Sequence, residues 1–112
     1  MQTSNQRSFK FGTAMIEFDF RAPLWLWKPE GSWHFISVPE EPSAAIRAFA
    51  PEAKRGFGSV RVRVRIGDTH WQTSVFPDKE SRCYFLPIKK AVRIAESLTV
   101  GSEADVSLEI VM

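Results

Sequence analysis

Seven residues, Val60-Arg61-Val62-Arg63-Val64-Arg65-Ile66, alternate without a break between β-branched aliphatics and arginines. A period of two places every second side chain on the opposite face of a strand, so this stretch has one dry and one wet side. Gly67-Asp68 follows, and glycine supplies the positive φ that a two-residue hairpin turn needs. If Ile66 sits opposite Thr69, then Val64 meets Trp71, Val62 meets Thr73 and Val60 meets Val75. The same register sets His70 across from Arg65, Gln72 across from Arg63 and Ser74 across from Arg61. A slip by one residue would bury the arginines, so one register is strongly selected.

The remaining chain reads as more short strands. Residues 1–8 are polar and expected to fray. A strand is expected over 9–21, with Ile16, Phe18 and Phe20 inward and Glu17, Asp19 and Arg21 outward. Pro23 should interrupt pairing, after which Leu24 to Trp27 forms a short apolar strand. Residues 28–31 form a turn and residues 33–38 a strand. Trp33, Phe35 and Ser37 lie on one face of that strand, His34, Ile36 and Val38 on the other. Residues 40–49 read as a short helix, with Ala45, Ile46 and Phe49 inward. Pro42 lies near its first turn, and Glu40 and Glu41 sit where the dipole favours them. Pro51 stops that helix, and residues 54–58 lead into the hairpin. Residues 76–80 turn, and Cys83 to Leu86 is a third short strand with Cys83 buried. Pro87 suits a first helical position, so a second helix is expected over 87–97. Ile88, Val92 and Ala95 would face inward, and Lys89, Lys90 and Arg93 water. A turn at 100–103 precedes a last strand over 104–112, with Ala104, Val106, Leu108, Ile110 and Met112 on one face.

The pattern predicts a mainly β fold: a small closed or pseudo-closed β-barrel of about seven strands with two short helices, which also removes sheet edges. The order aromatic strand, proline, helix occurs twice, at 33–49 and 84–95, a faint internal echo. A chain of 112 residues fits one domain, expected over 9–112. A net charge of +2 gives no broad electrostatic case for nucleic acid, so only a local basic patch would supply one. Cys83 is the only cysteine, which rules out an internal disulfide and points to a reducing compartment. Without a signal-type apolar stretch or a membrane-length apolar run, a cytoplasmic protein away from membranes is expected.

Several stretches resemble a small bacterial domain family of unknown function, the one numbered nineteen hundred and five. They are Trp33-His34-Phe35-Ile36 with Pro39, Trp71-Gln72-Thr73-Ser74-Val75-Phe76-Pro77, Leu86-Pro87-Ile88-Lys89-Lys90-Ala91-Val92-Arg93, and Gly101 ahead of the final strand. The resemblance runs from Phe9 to Ile110. It implies a compact β-barrel with two short helices, similar to the double-split barrels of swapped-hairpin transcription factors. Some relatives carry a second, bacteriocin-protection-like domain, which this chain is expected to lack. The family brings no established activity, so no catalytic residue carries over.

Catalytic constellations are incomplete. His70 and Ser74 share a strand face, but four residues span roughly 13 Å, far beyond hydrogen-bond reach. His34, His70 and Cys83 lack metal-ligand spacing, and Cys83 has no neighbouring base. Glu17 and Asp19 point the same way, about 6.6 Å apart, and read as a solvated face. No cofactor and no metal is expected. The basic residues carry the functional expectation. Arg61, Arg63 and Arg65, with His70 and Gln72 across from them, line one strand face, and Lys89, Lys90 and Arg93 follow Pro87. A helix starting at Pro87 would have no side-chain cap at Leu86, leaving amides beside lysines where an anion could dock. Trp25 and Trp27 are candidate pocket or dimer residues, whereas Trp33 and Trp71 are expected in the core. The leading expectation is a non-enzymatic binding module for an anionic small molecule or protein partner, as monomer or homodimer. The alternatives are a DNA-binding homodimeric regulator uniting two arginine ladders, and a small enzyme or enzyme accessory domain.

Overall fold

A computed structural model describes residues 7–10, 15–28, 31–49 and 58–111, with side chains over 17–28, 31–48 and 58–111. In chain order the elements are β1 (Arg7–Lys10), β2 (Met15–Leu26), β3 (His34–Ser37), α1 (Glu40–Phe49), β4 (Val60–Ile66), β5 (Thr69–Pro77), β6 (Tyr84–Pro87), α2 (Lys90–Ala95) and β7 (Glu103–Ile110). Six strands close in the order β2-β3-β6-β5-β4-β7, with β7 returning to β2, and β1 adds outside β2. Every neighbouring pair is antiparallel. The chain is therefore a closed β-barrel with two helices, as the strand pattern predicts. Among the described residues, no helix is long and apolar enough to cross a membrane.

The hairpin of β4 and β5 has the expected register at all seven pairs, from Val60 opposite Val75 to Ile66 opposite Thr69. Val60, Val62, Val64 and Ile66 are buried and the three arginines exposed. Gly67 has φ +58°, and Asp68 is not in the positive-φ region, the pattern of a type II′ turn. A Cβ at Gly67 would run into the carboxylate of Glu96 just past α2, which accepts a 2.6 Å hydrogen bond from Thr69 Oγ1. Phe18, Phe20, Leu24, Ile36, Ile46, Leu86, Val92 and Leu108 complete the barrel interior.

Several boundaries differ from expectation. Residues 9–10 and 15–21, expected in one strand, belong to two antiparallel strands, β1 and β2. Phe76 and Pro77, expected in a turn, extend β5 and pair with Phe85 and Tyr84. β2 runs through Pro23 as one strand of 12 residues, instead of ending near Arg21 and restarting at Leu24. The Leu24 amide donates toward β7, to the Ser102 carbonyl, so the nitrogen of Pro23 faces the opposite edge. There β1 pairs only as far as Phe18 and β3 only from Leu24. Pro23 thus lacks an N–H where no ladder partner is described. β1 takes in Arg7 and Ser8, ahead of the tail boundary expected at residue 8. Pro87 ends β6 opposite Phe35 instead of starting a helix, and α2 begins at Lys90 and ends at Ala95. Ala95 is exposed, while Ile88 and Val92 are buried. Cys83 lies in the turn before β6 and is half-buried, not sealed in a strand. Pro51, residues 54–57 and Met112 lie outside the described residues, and so do the side chains of Ile16 and Phe49.

Candidate functional site

The outward residues of β5 are His70, Gln72, Ser74 and Phe76, and Arg61 stands across the hairpin from Ser74. β6 lies beside β5 and leads directly into α2, so the antiparallel order carries Lys89, Lys90 and Arg93 to the same side of the barrel. Arg61, Lys89, Lys90 and Arg93 line one groove of about 620 Å³ together with Gln72 and Trp33. No carboxylate is among its described lining residues. Arg93 Nε donates to the Ile88 carbonyl at 3.2 Å, which anchors its guanidinium beside the groove. No ion pair of Arg61, Lys89 or Lys90 is found among the described residues.

The other basic-face residues go elsewhere. Arg63, Arg65 and His70 line a separate depression of about 400 Å³ that also holds Glu17 and Glu109. Arg63 pairs with Glu109 at 3.6 Å. Arg65 donates to Ser107 Oγ at 3.1 Å, and that hydroxyl donates to Asp19 at 2.6 Å. The division follows from strand length, since Arg65 sits roughly 13 Å along β4 from Arg61. The arginine ladder is therefore a mixed-charge face at one end and part of a cationic groove at the other.

Of the amides expected to receive an anion at residues 86–90, those of Leu86 and Ile88 are committed to the barrel. Leu86 sits in the ladder opposite Ile36, and the Ile88 amide donates to the His34 carbonyl at 2.9 Å. α2 is only six residues long, and its N-cap Lys89 makes no side-chain cap hydrogen bond.

Trp33 is 57 % exposed, which overturns its expected place in the core, while Trp71 does pack partly buried against the core. The reason is parity: Ile36 and Val38 take the inner positions of the β3 segment, so Trp33, Phe35 and Ser37 face out. The same outward parity holds for Trp25, Phe85 and Phe76 on adjacent strands, and together these rings cover one outer sheet face. Phe35 lies 5.3 Å from Trp25, 5.8 Å from Phe85 and 6.0 Å from Trp33, nearly parallel to the last at 9°. Trp25 is half-buried, with Nε1 donating to Ser37 Oγ at 3.0 Å. Trp27 is 49 % exposed and has Lys28 Nζ 4.7 Å from its ring centroid. Trp27, Trp33, Phe35, Phe76 and Phe85 line a depression of about 360 Å³. Trp33 and Phe76 also line the cationic groove, joining the two. Sequence reading assigned Trp25 and Trp27 to a surface role but missed Trp33, Phe35, Phe76 and Phe85. The available signal was the buried parity of Ile36, Leu86 and Val75, which turns the residues next to them outward.

No curated protein matches this sequence. A family model does match, over residues 20–108, and that stretch contains both helices, the six barrel strands apart from the ends of β2 and β7, and every residue of the groove; the chain accordingly belongs to DUF1905, a domain of unknown function.

Proposed function

We propose that this domain is a binding module for an anionic ligand, held by Arg61, Lys89, Lys90 and Arg93. The supporting observation is the convergence of four cationic side chains from β4 and the α2 region on one groove with no carboxylate among its described lining residues. Arginine forks and lysine ammoniums form charge-assisted hydrogen bonds to phosphate or carboxylate oxygens. Two such contacts in a partly open groove contribute about 1–2 kcal/mol after solvent screening. Among the described residues no hydrogen bond joins a lining hydroxyl to the His34 ring, whose Nδ1 meets the Ser32 carbonyl instead, which favours recognition over catalysis.

Calorimetric titration with inorganic tripolyphosphate tests this reading. Binding is expected at low salt and should weaken as salt rises. The double variant Lys89→Ala, Lys90→Ala should lose roughly tenfold in affinity, and Arg63→Ala, on the other depression, should bind as the wild type does. An absence of binding, or affinity untouched by the double lysine change, overturns the proposal.

A further inference from the structure

Resting on the anion-groove reading, we infer that the ligand is a single-stranded nucleic acid, its bases stacked on Trp33 and Phe76 and its phosphates against Arg61, Lys89, Lys90 and Arg93. Two observations meet here. The groove supplies cations with no acid among its described lining residues. Its wall continues into a depression lined wholly by aromatic rings, with Trp33 and Phe76 belonging to both. A ligand that satisfies both halves must carry flat apolar rings and regularly spaced negative charge. Exposed bases on a phosphate backbone have that chemistry, and aromatic platforms beside basic grooves bind single strands by this division of labour.

The rings are prearranged for stacking. Phe35 backs Trp33 at 9° between planes, and 57 % of Trp33 remains open. The aromatic surface also extends beyond one base, reaching Trp27 with its adjacent Lys28 ammonium, which favours a strand over a mononucleotide. A duplex hides its base faces and leaves the rings idle. A second copy of this chain would bring four like charges against the same four, so charge complementarity argues against self-docking across the whole surface.

Tryptophan fluorescence and anisotropy titrations test the inference, using oligo-dT and oligo-U of about ten nucleotides, within the site sizes typical of such grooves. Tripolyphosphate, adenosine monophosphate and a duplex of equal length serve as the other arms. Either oligomer should bind at least about tenfold more tightly than tripolyphosphate. Four phosphate contacts predict a slope of log K against log salt near about −3, at about 0.7 per contact. Trp33→Ala should reduce oligomer affinity about tenfold more than it reduces tripolyphosphate affinity, and Trp33→Phe should restore much of the loss. Oligomer binding no tighter than tripolyphosphate, or insensitive to Trp33→Ala, overturns base stacking and leaves the anion groove standing. Loss of all ligands removes both readings. Equal binding of the monophosphate or the duplex overturns the single-strand assignment. So does sedimentation showing a dimer that Trp33→Ala dissociates while no oligomer binds.

Discussion

At the residue scale, Ser43 shows how one hydroxyl splices a helix into a barrel. It is fully buried in α1. Its Oγ donates to the Val38 carbonyl and accepts from the Tyr84 amide, both at 3.0 Å, standing where a direct β3–β6 ladder bond would otherwise run. Ser43→Ala leaves a buried donor and a buried acceptor without that partner. The expected cost is about 1–3 kcal/mol, read as a lower urea midpoint at unchanged m-value. Tyr84 gives a second local test, because it is the only tyrosine in the chain. Burial raises its phenol above the ordinary 10.0, with Arg47 pulling weakly the other way. An ultraviolet titration should therefore place tyrosinate formation above pH 10 in the folded protein. The raised folded value means that this contribution to stability is fully present below about pH 10 and is lost as pH rises through the folded pKa. A midpoint at or below that of the urea-unfolded chain would contradict the burial argument.

At the element scale, what was legible depended on whether a segment's own residues decide its partners. The β4–β5 register was readable because valines and arginines on alternate positions make every slip costly. Pro23 and Pro87 were misread because proline reports a missing N–H but not the direction in which that N–H would have pointed. Only the identity of the neighbouring strand supplies that direction. The cationic groove was half legible: Lys89, Lys90 and Arg93 are close in sequence, but the choice of Arg61 over Arg63 and Arg65 depends on the β5–β6 pairing. The end of α2 was not legible either, because its stop signal is unusual. Ser97 has φ +55°, its amide reaches the Ile94 carbonyl and that of Leu98 reaches Arg93. This is a Schellman motif with Leu98 packed on the core. Serine pays a steric cost in that conformation that glycine escapes. Ser97→Gly should therefore stabilise the domain by about 0.5–1 kcal/mol in chemical denaturation. A destabilised variant would mean that the serine side chain contributes more than its backbone strain costs.

At the scale of the whole molecule, the faint internal echo becomes a geometric relation. Ile36 and Leu86 pair at the centre of the β3–β6 contact. The Val38 amide donates to the Tyr84 carbonyl, and the Ile88 amide to the His34 carbonyl. α1 starts at Glu40 and α2 at Lys90, each four residues past the central pair. Ser43 bonds the Val38 carbonyl, and Arg93 bonds that of Ile88. Each half thus comprises a β-hairpin, a strand and a helix, and β7 closes the barrel between β2 and β4. The two halves carry different chemistry at matching places: a buried serine in one, a groove-lining arginine in the other. The contrast between the buried core and the outward aromatic face gives the last prediction. Leu108 on β7 lies opposite both Phe18 and Val64 and is fully buried, so Leu108→Ala should cost about 2–5 kcal/mol. That is a large share of the roughly 5–15 kcal/mol that holds a domain together. Trp33→Ala removes an outward ring and should cost under about 1 kcal/mol. Thermal unfolding followed by far- and near-ultraviolet dichroism should show a large drop in midpoint for the first variant and a small one for the second. If the order is reversed, the aromatic face belongs to the folding core and its availability to a ligand is lost.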